Sequence, residues 1–304
     1  MRQQVAVGFI GLGVMGEPMC RHILQKCDSA RVSEVRGFDL SEAPLARLSE
    51  HGLTVAKSPQ EAAEGADLIF LSLPGDEQLE ALCSGLKGLV NHVGPGQTIV
   101  DLGTSSVDLT IRLEVQFAAK GAGYADAPVA RTRAAAEAGT LAVLVGGATS
   151  VFDRIRPVLG CFAEEVIHCG AVGSGQVVKQ MNNMVLFQTV TALAEALSIA
   201  KSCGVSGETL FGAMSKGSGN SFALHNHGRK ALIPGEFPKR AFSTSYALKD
   251  LKYAIELAKQ ADIRAPGAAA TQALFEEAIE KGMGDDYFPT IIRVINNAAR
   301  EMDQ

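Results

Sequence analysis

The chain has 304 residues, 47% hydrophobic and 20% charged, enough apolar material for about two domains with cores of their own. Its 33 acidic residues outnumber 28 Lys and Arg for a net charge of -5, so no basic field is present to hold a phosphate backbone, and nucleic acid is excluded as a partner. No run of about 18 apolar residues lacks a charge or turn former, and the start MRQQVAVGFIGLG is too quickly broken by glycine for a signal peptide, so a cytoplasmic protein without membrane contact is expected.

Through the first half, short apolar runs alternate with helical stretches, the pattern of an α/β fold with a parallel sheet covered by helices on both faces. Strands are expected to begin at Val5, Val32, Leu53, Asp67, Thr98 and Tyr124, and later at Thr140 and Glu165. The first, VAVGFI, runs directly into Gly11-Leu12-Gly13-Val14-Met15-Gly16 and a stretch that reads as helix to about Gln25. A strand, this turn and a helix form a dinucleotide cradle: one glycine makes the tight turn, one lets the backbone approach a pyrophosphate, and one packs helix on strand. The second strand, EVRGFDL, ends about 20 residues further on in Asp39, where such folds place an acid to accept hydrogen bonds from the adenosine ribose. A carboxylate there repels a 2′-phosphate, and Leu40 and Ser41 follow instead of an arginine, so NAD is favoured over NADP. Ser58-Pro59-Gln60-Glu61 reads as a capping box ahead of the strand DLIFLSL, whose apolar character on both faces suits a central parallel strand.

After about Gly170 the strand-like runs stop. The division expected is a dinucleotide-binding domain over 1–171 and an all-helical substrate and oligomerisation domain over 172–304. No proline interrupts Gly173 to about Ser202, which allows a helix of roughly 45 Å at 1.5 Å per residue. Further helices are expected over about 206–216, 244–261, 266–282 and 287–300. Six cysteines (Cys20, Cys27, Cys83, Cys161, Cys169, Cys203) show no zinc or redox spacing and read as reduced thiols. His225 and His227 lack a neighbouring carboxylate or cysteine to complete a metal site and read as part of a polar loop, so no metal is expected.

At the start of the long helix, Lys179, Asn182 and Asn183 stand at i, i+3 and i+4 and share a face. The surrounding stretch is nearly uncharged and runs into MVLFQTVTALAEAL. Burial there lowers a lysine pKa toward the range of proton transfer, while an amide holds an oxygen; hydride transfer at a carbinol carbon needs both. A lysine that snorkels to solvent beside an ordinary asparagine pair is the alternative.

Taken together, GFIGLGVMGEPM from Phe9's neighbour Gly8 onward, LPGDEQ, DLGTSS from Asp101, DAPV from Asp126, AEAGTLAVLVGG from Ala136, GSGQVVKQMNN from Gly173 and ALKDL from Ala247 make the chain resemble the β-hydroxyacid dehydrogenases over essentially its whole length. The resemblance implies that Lys179 is the catalytic acid/base and that Asn183 orients the substrate oxygen, with Asn182 beside it. It further implies that Gly11, Leu12, Gly13, Val14, Met15, Gly16, Asp39, Leu73, Pro74, Thr104 and Lys249, the last next to Asp250, contact the cofactor. It implies reversible oxidation of a small anionic 3-hydroxy acid to its semialdehyde, in a homodimer or homotetramer.

Two departures bear on the substrate. Where most of the family reads DAPVSGG, this chain has Ala130-Arg131-Thr132 after Val129, so the serine hydroxyl and both glycines of the usual carboxylate cradle are gone. The variant is similar to that of sulfolactaldehyde reductases. The planar Arg131 guanidinium suits a carboxylate, sulfonate or phosphate; pairing with Glu137 on the surface is the alternative. Gly103 stands where the family usually has serine, removing a hydroxyl next to Thr104. Imine reductases share the architecture but lack the lysine. A dinucleotide-binding scaffold without catalysis is the remaining reading, and it too is disfavoured by Lys179.

Overall fold

The computed structural model describes residues 4–239 and 241–301. The chain separates into two compact units, the division falling between Lys179 and Gln180. In the N-terminal unit β1 (Val5–Ile10) leads through the glycine turn to α1 (Gly16–Gln25), and the single turn α2 (Cys27–Ala30) precedes β2 (Val32–Phe38). Next come α3 (Glu42–Ser49), β3 (Thr54–Val55), α4 (Pro59–Ala63), β4 (Leu68–Leu71), α5 (Asp76–Cys83), β5 (Thr98–Asp101) and α6 (Val107–Ala118). The unit's last strands and helices are β6 (Gly123–Asp126), β7 (Val129–Ala130), α7 (Arg133–Ala138), β8 (Leu141–Gly146), α8 (Thr149–Leu159) and β9 (Ala163–Gly170).

The strands form one sheet in the order β3-β2-β1-β4-β5-β6-β8-β7, with β9 paired to β8. From β3 to β6 every pairing is parallel, as expected. The parallel sheet ends in an antiparallel edge, where β8 runs antiparallel to both β6 and β7. Pro128 has no N–H to continue the ladder, and the short α7 is no sheet-spanning crossover, so the chain folds back on itself. Strand β7 went unread because two residues carry no period. The order reverses between β1 and β4, and the ends of these two strands therefore flank a crevice of the kind that receives a dinucleotide.

Strand β4 shows why its sequence is apolar throughout. Leu68 and Phe70 enter the core on one side of the sheet with Phe9 and Val100, and Ile69 and Leu71 enter the other with Ile99 and Leu113. The Ser58 cap is formed, its hydroxyl accepting the Glu61 N–H at 3.1 Å, but the Glu61 carboxylate reaches back to Lys57 N–H at 2.7 Å and not to Ser58 itself.

Helix α9 (Ser174–Ser202) is 29 residues long and carries the chain into the C-terminal unit. That unit continues with α10 (Gly207–Met214), a π-helix over Leu224–Leu232, α11 (Thr244–Gln260), α12 (Pro266–Glu280), a 3₁₀ turn over Phe288–Ile291 and α13 (Ile292–Glu301). By length and composition α9 could cross a membrane; Phe187, Val190, Leu193, Ala194 and Leu197 are buried in this unit's core. Phe187 is the hub there, meeting Phe242, Phe275 and Phe288 edge to face at 5.6, 5.5 and 5.2 Å. The polar loop expected around His225 and His227 is the π-helix. Its His227 is buried, shares a hydrogen bond between Nδ1 and the Tyr287 hydroxyl, and is pushed by burial down to a pKa of about 4. Among the described residues no group of His, Cys, Asp and Glu is placed to hold a metal ion.

Candidate active site

The three glycines of the first turn occupy three different physical situations. Gly11 has φ +93°, in the left-handed region, and a Cβ there would lie 2.3 Å from the Ser72 carbonyl oxygen of the neighbouring strand's end. At Gly16 a Cβ would lie 2.0 Å from the Gly11 carbonyl, so the helix could not start so close to the strand. Gly13 faces open space with nothing within 4 Å, which is the room a pyrophosphate needs above exposed backbone N–H groups. Asp39, at the end of β2, accepts the Leu12 N–H at 2.6 Å and the Ser41 N–H at 2.8 Å, so its carboxylate is tied to the same turn. The cradle therefore fits a nicotinamide dinucleotide. Leu73 is half-buried and Pro74 exposed just beyond β4, on the other side of the crevice.

Beyond β5 the chain enters Gly103-Thr104-Ser105, with Thr104 and Ser105 buried. Gly103 is more than a missing hydroxyl: a Cβ there would lie 2.9 Å from the Leu73 carbonyl oxygen and 3.1 Å from Asp101 Oδ1. This loop is bonded to the start of α9. Gln176 Nε2 donates to the Gly103 carbonyl at 2.9 Å and to Ser105 Oγ at 3.0 Å, and Gln176 Oε1 accepts the Ser105 N–H at 3.2 Å. Lys179, three residues further along α9, is buried with 8% of its surface exposed.

In the C-terminal unit Asn183 is buried and donates from Nδ2 to Asp250 Oδ2 at 2.8 Å, while the exposed Asn182 donates to Asn183 Oδ1 at 3.2 Å. Asp250 also receives Lys249 at 3.0 Å, and the Lys249 ammonium lies over the rings of Tyr246 and Tyr253, 4.2 and 5.2 Å from their centroids. Asn183, Asp250 and Lys249 thus form one bonded chain.

The substituted loop makes local bonds. Arg131 donates to the Thr140 carbonyl at 2.6 Å and to Glu164 at 2.5 Å; the surface partner considered from the sequence, Glu137, pairs with Arg21 at 2.6 Å instead. Arg131 has φ +83°, a conformation suited to the glycine that most of the family has there. The Thr132 hydroxyl caps α7 by accepting the Ala135 N–H at 3.3 Å, and Ala130 pairs with Ala142 of β8.

Comparison with known proteins agrees with this geometry. Residues 6–170 match the family model for the NAD binding domain of 6-phosphogluconate dehydrogenase, and residues 173–295 match that for the NAD-binding of NADP-dependent 3-hydroxyisobutyrate dehydrogenase. A relative from Eubacterium barkeri, 2-(hydroxymethyl)glutarate dehydrogenase, is 34% identical over 97% of this chain and 96% of its own. The chain belongs to the β-hydroxyacid dehydrogenase family. The 2-hydroxy-3-oxopropionate reductase of Escherichia coli is 30% identical, covering 91% of the present dehydrogenase and 92% of its own length. A solved structure of Mycobacterium tuberculosis 3-hydroxyisobutyrate dehydrogenase with L-serine superposes with a TM-score of 0.85 at 30% identity, covering 96% of this chain and 99% of that one. An imine reductase from Myxococcus stipitatus, at 19% identity and a TM-score of 0.64, shows the shared fold alone. The dehydrogenase is an oxidoreductase of the CH–OH group with a nicotinamide dinucleotide as cofactor.

Reading the sequence missed Gln176, Ser105 and the paired acids Asp101 and Asp126 in this dehydrogenase. The available signal was a glutamine in the first turn of a greasy helix and an aspartate ending each of two apolar strands.

Proposed function

We propose that this dehydrogenase interconverts a small anionic 3-hydroxy acid with its semialdehyde, Lys179 moving the proton and NAD serving as cofactor in preference to NADP. The observation that carries the reading is the burial of Lys179 one helical turn beyond Gln176, which is bonded to the Gly103–Ser105 loop. A bound nicotinamide supplies or accepts the hydride. Lys179 gives a proton to the carbonyl oxygen during reduction and takes it from the hydroxyl during oxidation. Asn183 steadies that oxygen with its second amide N–H, the first being committed to Asp250. Asn182, one residue earlier, is exposed beside it and is assigned to the substrate as well. Asp39 supports NAD, because its carboxylate is anchored by two backbone N–H groups and a 2′-phosphate would meet a fixed negative charge.

Ala130, Arg131 and Thr132 are assigned to the anionic end of the substrate. Arg131 now pairs with an exposed glutamate, and exposed ion pairs contribute only about 0–1 kcal/mol, so a substrate carboxylate or sulfonate can replace Glu164 at little cost. A homo-oligomer is supported by Val178, Val185 and Ile199, exposed apolar residues at multiples of seven along α9. The six free cysteines fit a cytoplasmic setting.

The test is NADH- and NADPH-dependent reduction of 2-hydroxy-3-oxopropionate, methylmalonate semialdehyde and sulfolactaldehyde, followed by absorbance. Turnover with NADH is expected, and Lys179→Ala is expected to lower kcat by about 10²- to 10⁴-fold while NADH still binds. Undiminished turnover by Lys179→Ala would remove the proposed mechanism, and a preference for NADPH would remove the role given to Asp39.

A further inference from the structure

Two buried carboxylates have no part in the chemistry above. Asp101 ends β5 and Asp126 ends β6, and they are register partners on adjacent parallel strands. Burial pushes the first up to about 7 and the second up to about 6, so both are kept at a cost that asks for a use.

From these bonds we infer that Asp126 and Gln176 are positioning residues that lock the start of α9, and with it Lys179, against the Gly103–Ser105 loop. The inference rests on Lys179 being the proton-transfer residue. Asp126 Oδ1 accepts the Gly173 N–H at 2.7 Å, and Oδ2 accepts the Gln176 N–H at 2.8 Å. One side chain from the sheet thus satisfies N–H groups that a helix start leaves unpaired, and fixes the residue before the helix together with its first turn. The backbone is pressed onto this carboxylate: a Cβ at Gly146 would lie 2.4 Å from Oδ1, and one at Gly175 would lie 2.8 Å from Oδ2. Gln176 then uses both ends of its amide on the loop, with bonds to Gly103 and Ser105 that fix its rotation. Asp101 closes the circuit by accepting the Gly103 N–H at 2.9 Å and the Ser105 hydroxyl at 2.8 Å. Gln176 and Lys179 are three residues apart and share a helix face, so whatever fixes the first directs the second.

The carboxylate is the right group because it only accepts. An asparagine at position 126 would turn an N–H toward one of two backbone N–H donors, and protonation of Asp126 has the same effect on one oxygen. The titratable groups that interact with Asp126 are Asp101 on β5, the Tyr124 hydroxyl on β6 and Cys169 on β9.

The experiment is steady-state reduction, with NADH and the fastest member of the substrate panel, by the full chain carrying Asp126→Asn, Gln176→Glu or Lys179→Ala. Each variant is assayed from about pH 5 to 8, and its NADH affinity is measured by fluorescence titration. Asp126→Asn and Gln176→Glu are expected to lose about 10- to 100-fold in kcat, as for a catalytic group displaced by about 1 Å, with NADH affinity unchanged. In this direction a protonated lysine is the donor, so acid does not slow proton delivery by Lys179. A fall in wild-type kcat below about pH 6 that is absent from Asp126→Asn is therefore the signature of the Asp126 anchor. Wild-type kcat in both variants, or losses matched by equal losses in NADH affinity, would overturn the inference. Should Asp126→Asn fail to fold by circular dichroism, Gln176→Glu decides alone. Undiminished turnover by Lys179→Ala would instead overturn the function proposed for the lysine, a result distinguishable from failure of the anchor.

Discussion

At the scale of single residues, this dehydrogenase holds several polar groups where water does not reach. Asp101 is the extreme case, its pKa raised to about 7 chiefly by burial and held back by the bonds from Ser105 and Gly103. The folded state therefore binds a proton more tightly than the unfolded chain, whose value lies near 3.8, and the resulting stability is present in full below that value and lost as pH rises through about 7. Asp101→Asn keeps the shape without the charge. It should match the wild type in thermal unfolding only below the unfolded value, at about pH 3, and exceed it at about pH 8, by up to about 4 kcal/mol for a shift of this size. Equal unfolding temperatures at the higher pH would show that Asp101 is not ionised at a cost. Gly103 belongs to the same scale: it read as an absent hydroxyl, whereas the space left by Leu73 and Asp101 shows why a side chain there would need the loop to shift.

At the scale of elements, the glycine-rich turn and the long helix were legible in full. Helix α1 begins at the third glycine and ends at Gln25, and α9 spans the proline-free stretch from Ser174 to Ser202. Both follow from local rules, a turn with one steric solution and an unbroken 3.6-residue period. The loop between β7 and α7 was legible only as a departure. Its backbone carries Arg131 in a conformation that favours glycine, so Arg131→Gly removes the guanidinium without backbone strain. This variant should keep its unfolding temperature while KM for an anionic substrate rises by about 10- to 100-fold, the loss of a charged hydrogen bond of about 1.5 to 3 kcal/mol. An unchanged KM would place the anionic end of the substrate elsewhere. The π-helix around His227 gave no signal, because its irregular winding is stabilised by burial against Tyr287 and Phe288 and not by a repeat in the sequence.

At the scale of the whole molecule, α9 presents apolar residues outward over much of its length. Val178, Val185 and Ile199 are 41%, 59% and 64% exposed, more apolar side chain than a helix facing only water needs to show. If a second copy covers this stripe, Val185→Lys should shift the native mass measured by light scattering toward the monomer without loss of helical content. An unchanged mass would mean that the assembly uses another face or that the chain acts alone.

The sequence by itself determined the dinucleotide cradle, the family and most of the succession of strands and helices, because each is written in neighbouring residues through turn sterics, periodicity or motif order. Only the tertiary structure decided the antiparallel edge of the sheet, the Glu164 partner of Arg131, and the circuit linking Asp101, Ser105, Gln176 and Asp126. Those depend on hydrogen bonds between residues dozens of positions apart, whose geometry comes into being only when the strands are laid side by side and α9 is set against their ends.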